Sequence, residues 1–245
     1  DLAAQDGELL RRLLRPSSRL GHSALAGIDR LELVLLLLLA LGEHPLHVAR
    51  RAGVAVVRLL DDGTDVLGVE PGDEVICDRE AHIFNYESSS VARLSGIQIY
   101  PLDGRFGVLT PEQVEPYIRT TAYHMPRTKV IEIENTHNRR GGTIWPIENI
   151  ISLKNLVKKY SLYYHLDGAR IWNACVETGI SPKEYASHFD SVSCCFSKGL
   201  GPPIGSAIAG SKEFIKEAYR LRKAWGGGMR QVGIIAAAAL FAVQN

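Results

Sequence analysis

The stretch "SCCFSKGLGPPIG", residues 193–205, ends an apolar strand on a single lysine and then continues almost entirely with small residues. Residues 194–196 lead into Ser197 and Lys198, and five of the next seven residues are glycine or proline. A lysine after a strand is often only a solvated loop residue. A lysine that is surrounded by such small residues can also be a reactive amine in a cleft. The rest of the chain decides between these two interpretations.

From about Pro71 onward, the sequence alternates between strand patterns and helix patterns. Strands are predicted at 73–78, 97–102, 129–135, 162–167, 191–196 and 206–210. Helices are predicted at 81–96, 110–119, 147–161, 170–179 and 212–225. This alternation predicts an α/β fold with a mainly parallel sheet and helices on both faces.

Ligands of such sheets bind at the carboxyl ends of the strands, so the residues at strand ends are the functional candidates. They are His82, residues 135–137, Asp167 and Lys198. Asp167 precedes Lys198 by one strand–helix–strand step, so both side chains can reach one cleft. An aspartate in this position can also be a plain helix N-cap.

An aspartate and a lysine in one cleft fit a pyridoxal 5'-phosphate site. The lysine would attach covalently to the cofactor aldehyde, and the aspartate would pair with the protonated ring nitrogen. The glycines after Lys198 are expected to give the ring room.

Composition excludes several other classes of function. The formal net charge of +1 gives no reason to expect nucleic acid or an anionic membrane as a partner. The four cysteines lack metal-ligand spacing and are typical of a reduced, cytoplasmic protein. The longest apolar run, Leu33–Leu41, is too short to span a bilayer.

Five further motifs carry a family resemblance from about Gly72 to the C-terminus. They are "EAHIFNYE", "ENTHNRRGG", "HLDGARIWNA", "SKGLGPPIGS" and "WGGGMRQVGIIAAA". Taken together and in this order, they resemble the low-specificity threonine aldolases, which have the aspartate-aminotransferase-type fold. The resemblance implies pyridoxal phosphate as cofactor, an amino acid as substrate, and a homodimer or homotetramer.

The resemblance also implies roles for individual residues. The cofactor would be held by Lys198 through a covalent bond, by Asp167 at the ring nitrogen, by His82 stacked on the ring, by Arg230 at the phosphate, and by the neighbouring Ser197 and Arg170. Arg170 would lie near the substrate carboxylate, and His124 of "YHMPRT" by the substrate hydroxyl.

Structural alternatives stand beside some of these roles. His82 could cap the following helix, Arg170 could form a surface ion pair, and Arg230 could cap its neighbours. His137 is predicted to be structural rather than catalytic.

The implied reaction is the cleavage of threonine or allo-threonine to glycine and acetaldehyde. The base that removes the hydroxyl proton could be His82, His124 or a water between them. Two alternatives remain open. One is another enzyme on the same scaffold, such as a β-eliminating lyase or an aminotransferase, and the other is a non-catalytic remnant of the fold.

Residues 1–70 depart from the family and are treated as a segment separate from the cofactor-binding domain, 71–245. They contain no aromatic residue and no lysine, and they lack a Ser-Gly-Thr-type turn for the cofactor phosphate. We interpret them as an out-of-frame or corrupted segment, or else as a divergent helical N-terminus.

The family's C-terminal small domain is also not found in the sequence. The apolar segment 233–243 is predicted to form a fully buried helix. Weak cofactor binding and oligomerisation or aggregation are the expected consequences for this chain.

Overall fold

The computed structural model describes residues 69–119 and 122–244. The segment 1–70 therefore lies outside the described residues, except for its last two positions. Within the described part, no helix combines the length and the apolar character needed to cross a membrane.

A six-stranded sheet forms the centre of the described part, in the order β2-β1-β3-β4-β5-β6. The strands are β1 Glu74–Asp78, β2 Gln98–Leu102, β3 Thr128–Glu134, β4 Tyr163–Gly168, β5 Ser191–Cys195 and β6 Ser206–Gly210. The first five are parallel, and β6 pairs with β5 in the antiparallel sense. The predicted mainly parallel sheet is confirmed, and each predicted strand is present.

The helices cover both faces of this sheet. They are α1 His82–Asn85, α2 Ser90–Ser95, α3 Pro111–Val114, α4 Ile147–Tyr160, α5 Ile171–Thr178, α6 Pro182–Ala186, α7 Lys212–Ala224 and α8 Gly233–Gln244, with short 3-10 turns at Glu115–Tyr117 and Asn138–Arg140. Buried side chains of α3 to α6 pack on one face, and those of α1, α2 and α7 pack on the other.

The two faces differ in polarity, because side chains alternate along each strand. The apolar face carries Ile76, Ile131, Ile133, Tyr164 and Leu166, all of which are buried. The polar face carries Glu132, Glu134, His165, Asp167, Ser191 and Ser193. On the polar face, the ring Nδ1 of His165 lies 2.8 Å from the Ser191 hydroxyl oxygen.

Three helical expectations need correction. The helix predicted at 81–96 is broken into α1 and α2, because Ser88 and Ser89 adopt left-handed backbone angles with φ of 54° and 55°. The short helix α6 was missed, although Ser181 caps it and Pro182 starts it. Helix α8 is not fully buried, because Ile234 is 91 % exposed and Ala239 is its only buried side chain among the described residues.

Candidate active site

The carboxyl ends of the parallel strands bring polar residues together at one edge of the sheet. Strand β3 ends at Glu134, which is paired in register with Asp167 of β4, and Asp167 is paired in turn with Ser193 of β5. The segment that follows β1 contributes His82, and the loop after β5 contributes Lys198. Residues that are distant in sequence therefore meet, as the alternating strand and helix pattern predicts.

These residues line one open cleft, which with its mouth holds about 370 Å³ of space. The lining residues are His82, Glu87, Glu134, Asp167, Ala169, Arg170, Ser193, Cys194, Cys195 and Lys198. Four of the predicted site residues are among them: His82, Asp167, Arg170 and Lys198.

The loop that carries Lys198 is held at both of its ends. The backbone N–H groups of Phe196 and Ser197 donate to the carbonyl of Gly205, at 2.9 and 3.4 Å. Below the loop, the indole Nε1 of Trp172 donates to the carbonyl of Cys195 at 3.0 Å and so ties α5 to the end of β5. The half-buried Lys198 therefore projects from a closed loop next to the sheet rather than from a free surface segment.

The glycine after Lys198 has a more specific role than the one we expected. A Cβ atom at Gly199 would lie 2.4 Å from the Oδ1 atom of Asn173 on α5. Gly199 therefore allows α5 to approach the lysine loop closely. That the glycines after Lys198 also give a cofactor ring room remains a prediction.

Asp167 is not a helix N-cap. Its Oδ1 accepts a hydrogen bond from the backbone N–H of Ala169 at 3.0 Å, whereas α5 begins only at Ile171 and has Arg170 as its cap residue. Its second carboxylate oxygen accepts no hydrogen bond from residues 69–119 or 122–244. That oxygen is available to a ligand in the cleft.

His82 is anchored through both its backbone and its ring. Its backbone N–H donates to Glu134 Oε2 at 2.9 Å, and its ring Nδ1 lies 2.7 Å from Glu87 Oε1. The hydrogen bond to Glu87 raises the pKa of His82 above its ordinary value, whereas burial acts in the opposite direction. The ring does not cap the following helix. It also contacts the ring of Tyr86, with centroids 5.0 Å apart.

Two buried carboxylates of the cleft were missed by the sequence analysis. Glu134 accepts from the backbone N–H groups of His82 and Asn138, at 2.9 and 3.0 Å. Burial raises the pKa of Glu134, and the charge of Asp167 raises it further. The signal for Glu134 was its position as the last but one residue of the predicted strand 129–135. No comparable signal marked Glu87, because its contact with His82 depends on the break between α1 and α2.

Arg170 and Cys195 complete the lining next to the lysine. Burial raises the pKa of the Cys195 thiol, and the nearby positive charges of Lys198 and Arg170 oppose this shift. Arg170 makes no ion pair with other residues in the described ranges 69–119 and 122–244, so the predicted surface ion pair is not observed. Its guanidinium is available to an anionic group in the cleft.

Three of the predicted site residues do not line the cleft. Ser197 and Arg230 are exposed, and Arg230 lies in the turn before α8. His124 lies four residues before β3, at the amino edge of the sheet, beside the exposed Tyr123. The seven-residue strand β3 separates His124 from the cleft by roughly 20 Å. The roles of these three residues remain predictions.

His137 has a structural environment. It is fully buried, and its ring Nε2 lies 3.0 Å from the Asp78 carboxylate. Asp78 also accepts from the backbone N–H groups of Glu80 and Gly104, at 2.9 and 2.8 Å. The pair thus ties the end of β1 to the segment after β3, and both segments lead into the cleft.

The arrangement of the sheet is shared with a class of solved structures that have the aspartate-aminotransferase fold. An aspartate aminotransferase from Thermus thermophilus matches with a TM-score of 0.56 and 20 % identity, over 80 % of this chain and 48 % of that one. A structure titled as a putative L-allo-threonine aldolase from Listeria monocytogenes matches with a TM-score of 0.66 and 22 % identity, over 80 % of this chain and 51 % of that one.

The chain belongs to the beta-eliminating lyase family, whose model matches residues 64–245. A low-specificity L-threonine aldolase from Candida albicans is 44 % identical over 179 residues, which are 71 % of this chain and 47 % of that protein. The resemblance to the threonine aldolases is thus confirmed. The chain spans about half the length of the curated relatives it matches.

Proposed function

We propose that this chain is the cofactor-binding part of a pyridoxal phosphate-dependent lyase that cleaves threonine or allo-threonine to glycine and acetaldehyde. The observation that carries the proposal is that Lys198, Asp167, His82 and Arg170 line a single cleft. Its family and its similarity to named threonine aldolases support the reaction class.

The side chains of the cleft fit the ring of pyridoxal phosphate. Lys198 supplies an amine for covalent attachment, and the free carboxylate oxygen of Asp167 supplies a partner for a protonated ring nitrogen. His82 supplies a flat ring for stacking. When bound, the cofactor provides a sink for the electrons released as the Cα–Cβ bond breaks.

Arg170 and His82 are the residues of the cleft that suit the substrate. Arg170 carries a guanidinium without an ion-pair partner in the described ranges, and a guanidinium can bind a substrate carboxylate with two hydrogen bonds. His82 can take the proton from the β-hydroxyl group, directly or through a water, and so allow the aldehyde to leave. Addition of a proton to Cα, in place of the broken bond to Cβ, then yields glycine.

His124 enters this proposal only through a second copy of the chain. It lies at the opposite edge of the sheet from the cleft of its own chain, so a role near the substrate hydroxyl would require His124 from another copy. Helix α8 is consistent with self-association, because its apolar residues Ile234 and Phe241 are 91 % and 68 % exposed. Sedimentation of the purified chain tests this point, and a clean monomer at all concentrations contradicts it.

Cofactor binding is the most direct test of the proposal. The purified chain, incubated with a high concentration of pyridoxal phosphate, is expected to become yellow, and borohydride is expected to remove the colour and fix the cofactor covalently. Weak binding is expected, because Arg230 does not line the cleft, and Arg170 is the only arginine that does among residues 69–119 and 122–244. Absence of any fixed cofactor at saturating concentration would contradict the proposal.

The products distinguish aldol cleavage from the other reactions of this scaffold. With threonine as substrate, glycine and acetaldehyde are expected in equal amounts. Formation of a keto acid instead would indicate elimination or transamination. A loaded chain that forms none of these products would support the non-catalytic alternative. We place the protein in the cytoplasm on its composition alone.

A further inference from the structure

The break between α1 and α2 brings Glu87 back to the ring of His82. In a continuous helix, residues five positions apart point in different directions, so a side chain at 87 could not meet one at 82. Here α1 ends at Asn85, and the chain turns through the left-handed Ser88 and Ser89. The result is a distance of 2.7 Å between Glu87 Oε1 and the His82 Nδ1 atom.

The environment of this contact makes it selective for one form of the ring. Glu87 is buried, with 3 % of its surface exposed, and a buried carboxylate strongly favours a hydrogen-bond donor as partner. An ionised carboxylate only accepts hydrogen bonds, so with Glu87 ionised it is Nδ1 that carries the proton in the contact. In a neutral imidazole, Nε2 is then the nitrogen that can accept a proton.

From this geometry we infer that Glu87 is a positioning residue, which holds His82 in the Nδ1–H tautomer and leaves Nε2 as its basic nitrogen. What the pair is used for rests on the proposed function, in which His82 takes the hydroxyl proton. The existence of the pair is independent of the proposed function, because the contact is formed between two side chains of the protein. The same carboxylate also favours the protonated ring and so makes His82 a stronger base.

The other charged groups that face His82 act in the same direction but more weakly. Asp167 of β4 and Glu134 of β3 both raise its pKa, while burial lowers it. Glu134 differs from Glu87 because it contacts the backbone N–H of His82 and not its ring. Glu87 is therefore the group that determines the tautomer.

The inference can be tested by NMR on the cofactor-free chain. Ring nitrogen shifts of ¹⁵N-labelled histidine report the tautomer and the titration of each imidazole, and loss of one signal set in His82→Asn assigns His82. In the wild-type chain, His82 is expected as the Nδ1–H form at a pH above its titration. In Glu87→Gln, which removes the charge but keeps an acceptor, His82 is expected to titrate at lower pH.

Two further variants sharpen the test. In Glu87→Leu, which removes the acceptor, the Nδ1–H form is expected to lose its dominance. Glu80→Gln is the matched control, because Glu80 belongs to the same segment but pairs with Arg139 instead, at 3.7 Å. It is expected to leave the titration of His82 unchanged.

The wild-type measurement needs only the assignment by His82→Asn, so it decides the question even if a Glu87 variant fails to fold. A dominant Nε2–H form in the wild-type chain would overturn the inference, and so would identical titrations in the wild type and Glu87→Gln. The expected tautomer in a chain that never fixes cofactor would count against the proposed function alone. The wrong tautomer in an active chain would count against this inference alone.

Discussion

The two faces of the sheet are built from the same strands but bury different chemistry. On the apolar face, Ile131 and Ile133 of β3 and Leu166 of β4 pack with side chains of α4 and α5. On the polar face, β3 buries Glu132 and Glu134 at 1 % and 3 % exposure. Buried parallel strands usually consist of near-continuous apolar residues. Buried acidic side chains lie on both faces, because Glu74 and Asp78 of β1 alternate with Val75 and Cys77 and so share the face of Ile76, but of these buried carboxylates only those of β3 lie on the face that leads into the cleft.

This difference separates the residues that stabilise the fold from those that form the site. Both carboxylate oxygens of Glu132 are buried and have no hydrogen-bond partner among residues 69–119 and 122–244. Burial, and then the charge of Asp167, raises the pKa of Glu132 well above its ordinary value. A polar group buried in this way costs stability. Apolar packing on both faces offsets this cost, because Val75 and Val130 of the polar face belong to a core formed with α7.

The largest expected effect is at the edge of the polar face, in Lys198→Ala. This variant is expected to lose all borohydride-fixed cofactor while the fold is retained, because Lys198 is half-buried in a loop and packs in neither main core. Peptide mass mapping of the reduced protein measures the loss. Lys183→Ala is the control and should fix as much cofactor as the wild type. Pyridoxyl found on Lys183 or Lys212 would refute the assignment.

A smaller but still large effect is expected for Asp167→Asn. The amide keeps an oxygen that can accept from the Ala169 N–H but loses the charge next to the cofactor ring. Turnover by the cofactor-loaded chain is expected to fall about 100-fold or more, as when an electrostatic partner of the transition state is lost. Cofactor titration should change far less. Unchanged turnover at saturating cofactor would mean that Asp167 only holds the turn.

A pair of neighbouring substitutions compares the two faces directly. Ile133→Ala should lower the free energy of unfolding by about 2–5 kcal/mol, because it leaves a cavity in the apolar core. Glu132→Leu, one residue away on the other face, should raise that free energy by about 1 kcal/mol, since it replaces buried polar atoms without partners. Urea unfolding curves measure both. Similar losses in the two variants would show that Glu132 contributes to stability.

The last expected effect is absent near neutral pH and grows only in acid, and it is a pH dependence of stability due to His165 on the polar face. Burial lowers its pKa to about 4, from 6.5. The folded state therefore holds His165 neutral, whereas the unfolded chain takes up a proton below pH about 6.5, so stability is lost as pH falls through this window. At pH 5 the loss is about 2 kcal/mol relative to neutral pH.

The His165→Gln variant isolates this contribution from those of the other groups. Its unfolding free energy should depend less on pH between about 6.5 and 4 than that of the wild type. Buried glutamates with raised pKa values oppose the effect in both proteins, so the difference between the two curves is the quantity to measure. If the unfolding free energies of the wild type and His165→Gln changed with pH in parallel, His165 would be protonated in the folded state or accessible to water.

The sequence was enough to predict the strands, the mainly parallel sheet, and a cleft shared by Asp167 and Lys198. Each of these depends on local pattern and on the geometry of strand–helix–strand units. The break between α1 and α2 was not predictable, because Ser88 and Ser89 are not residues that favour left-handed angles. The carboxylate of Glu87 was missed for the same reason. The role of His124 remains a prediction, since a family motif does not state which edge of the sheet a residue occupies within one chain.

The sequence by itself determined which residue types are available at strand ends, since alternation and spacing are local properties of the chain. Only the tertiary structure decided how those residues pair. It placed Glu134 on the backbone of His82, Glu87 on its ring, and Asn173 against Gly199. The physical reason is that hydrogen bonds and close packing depend on distances of a few ångströms between segments far apart in sequence. Those distances exist only once the sheet and its helices have assembled.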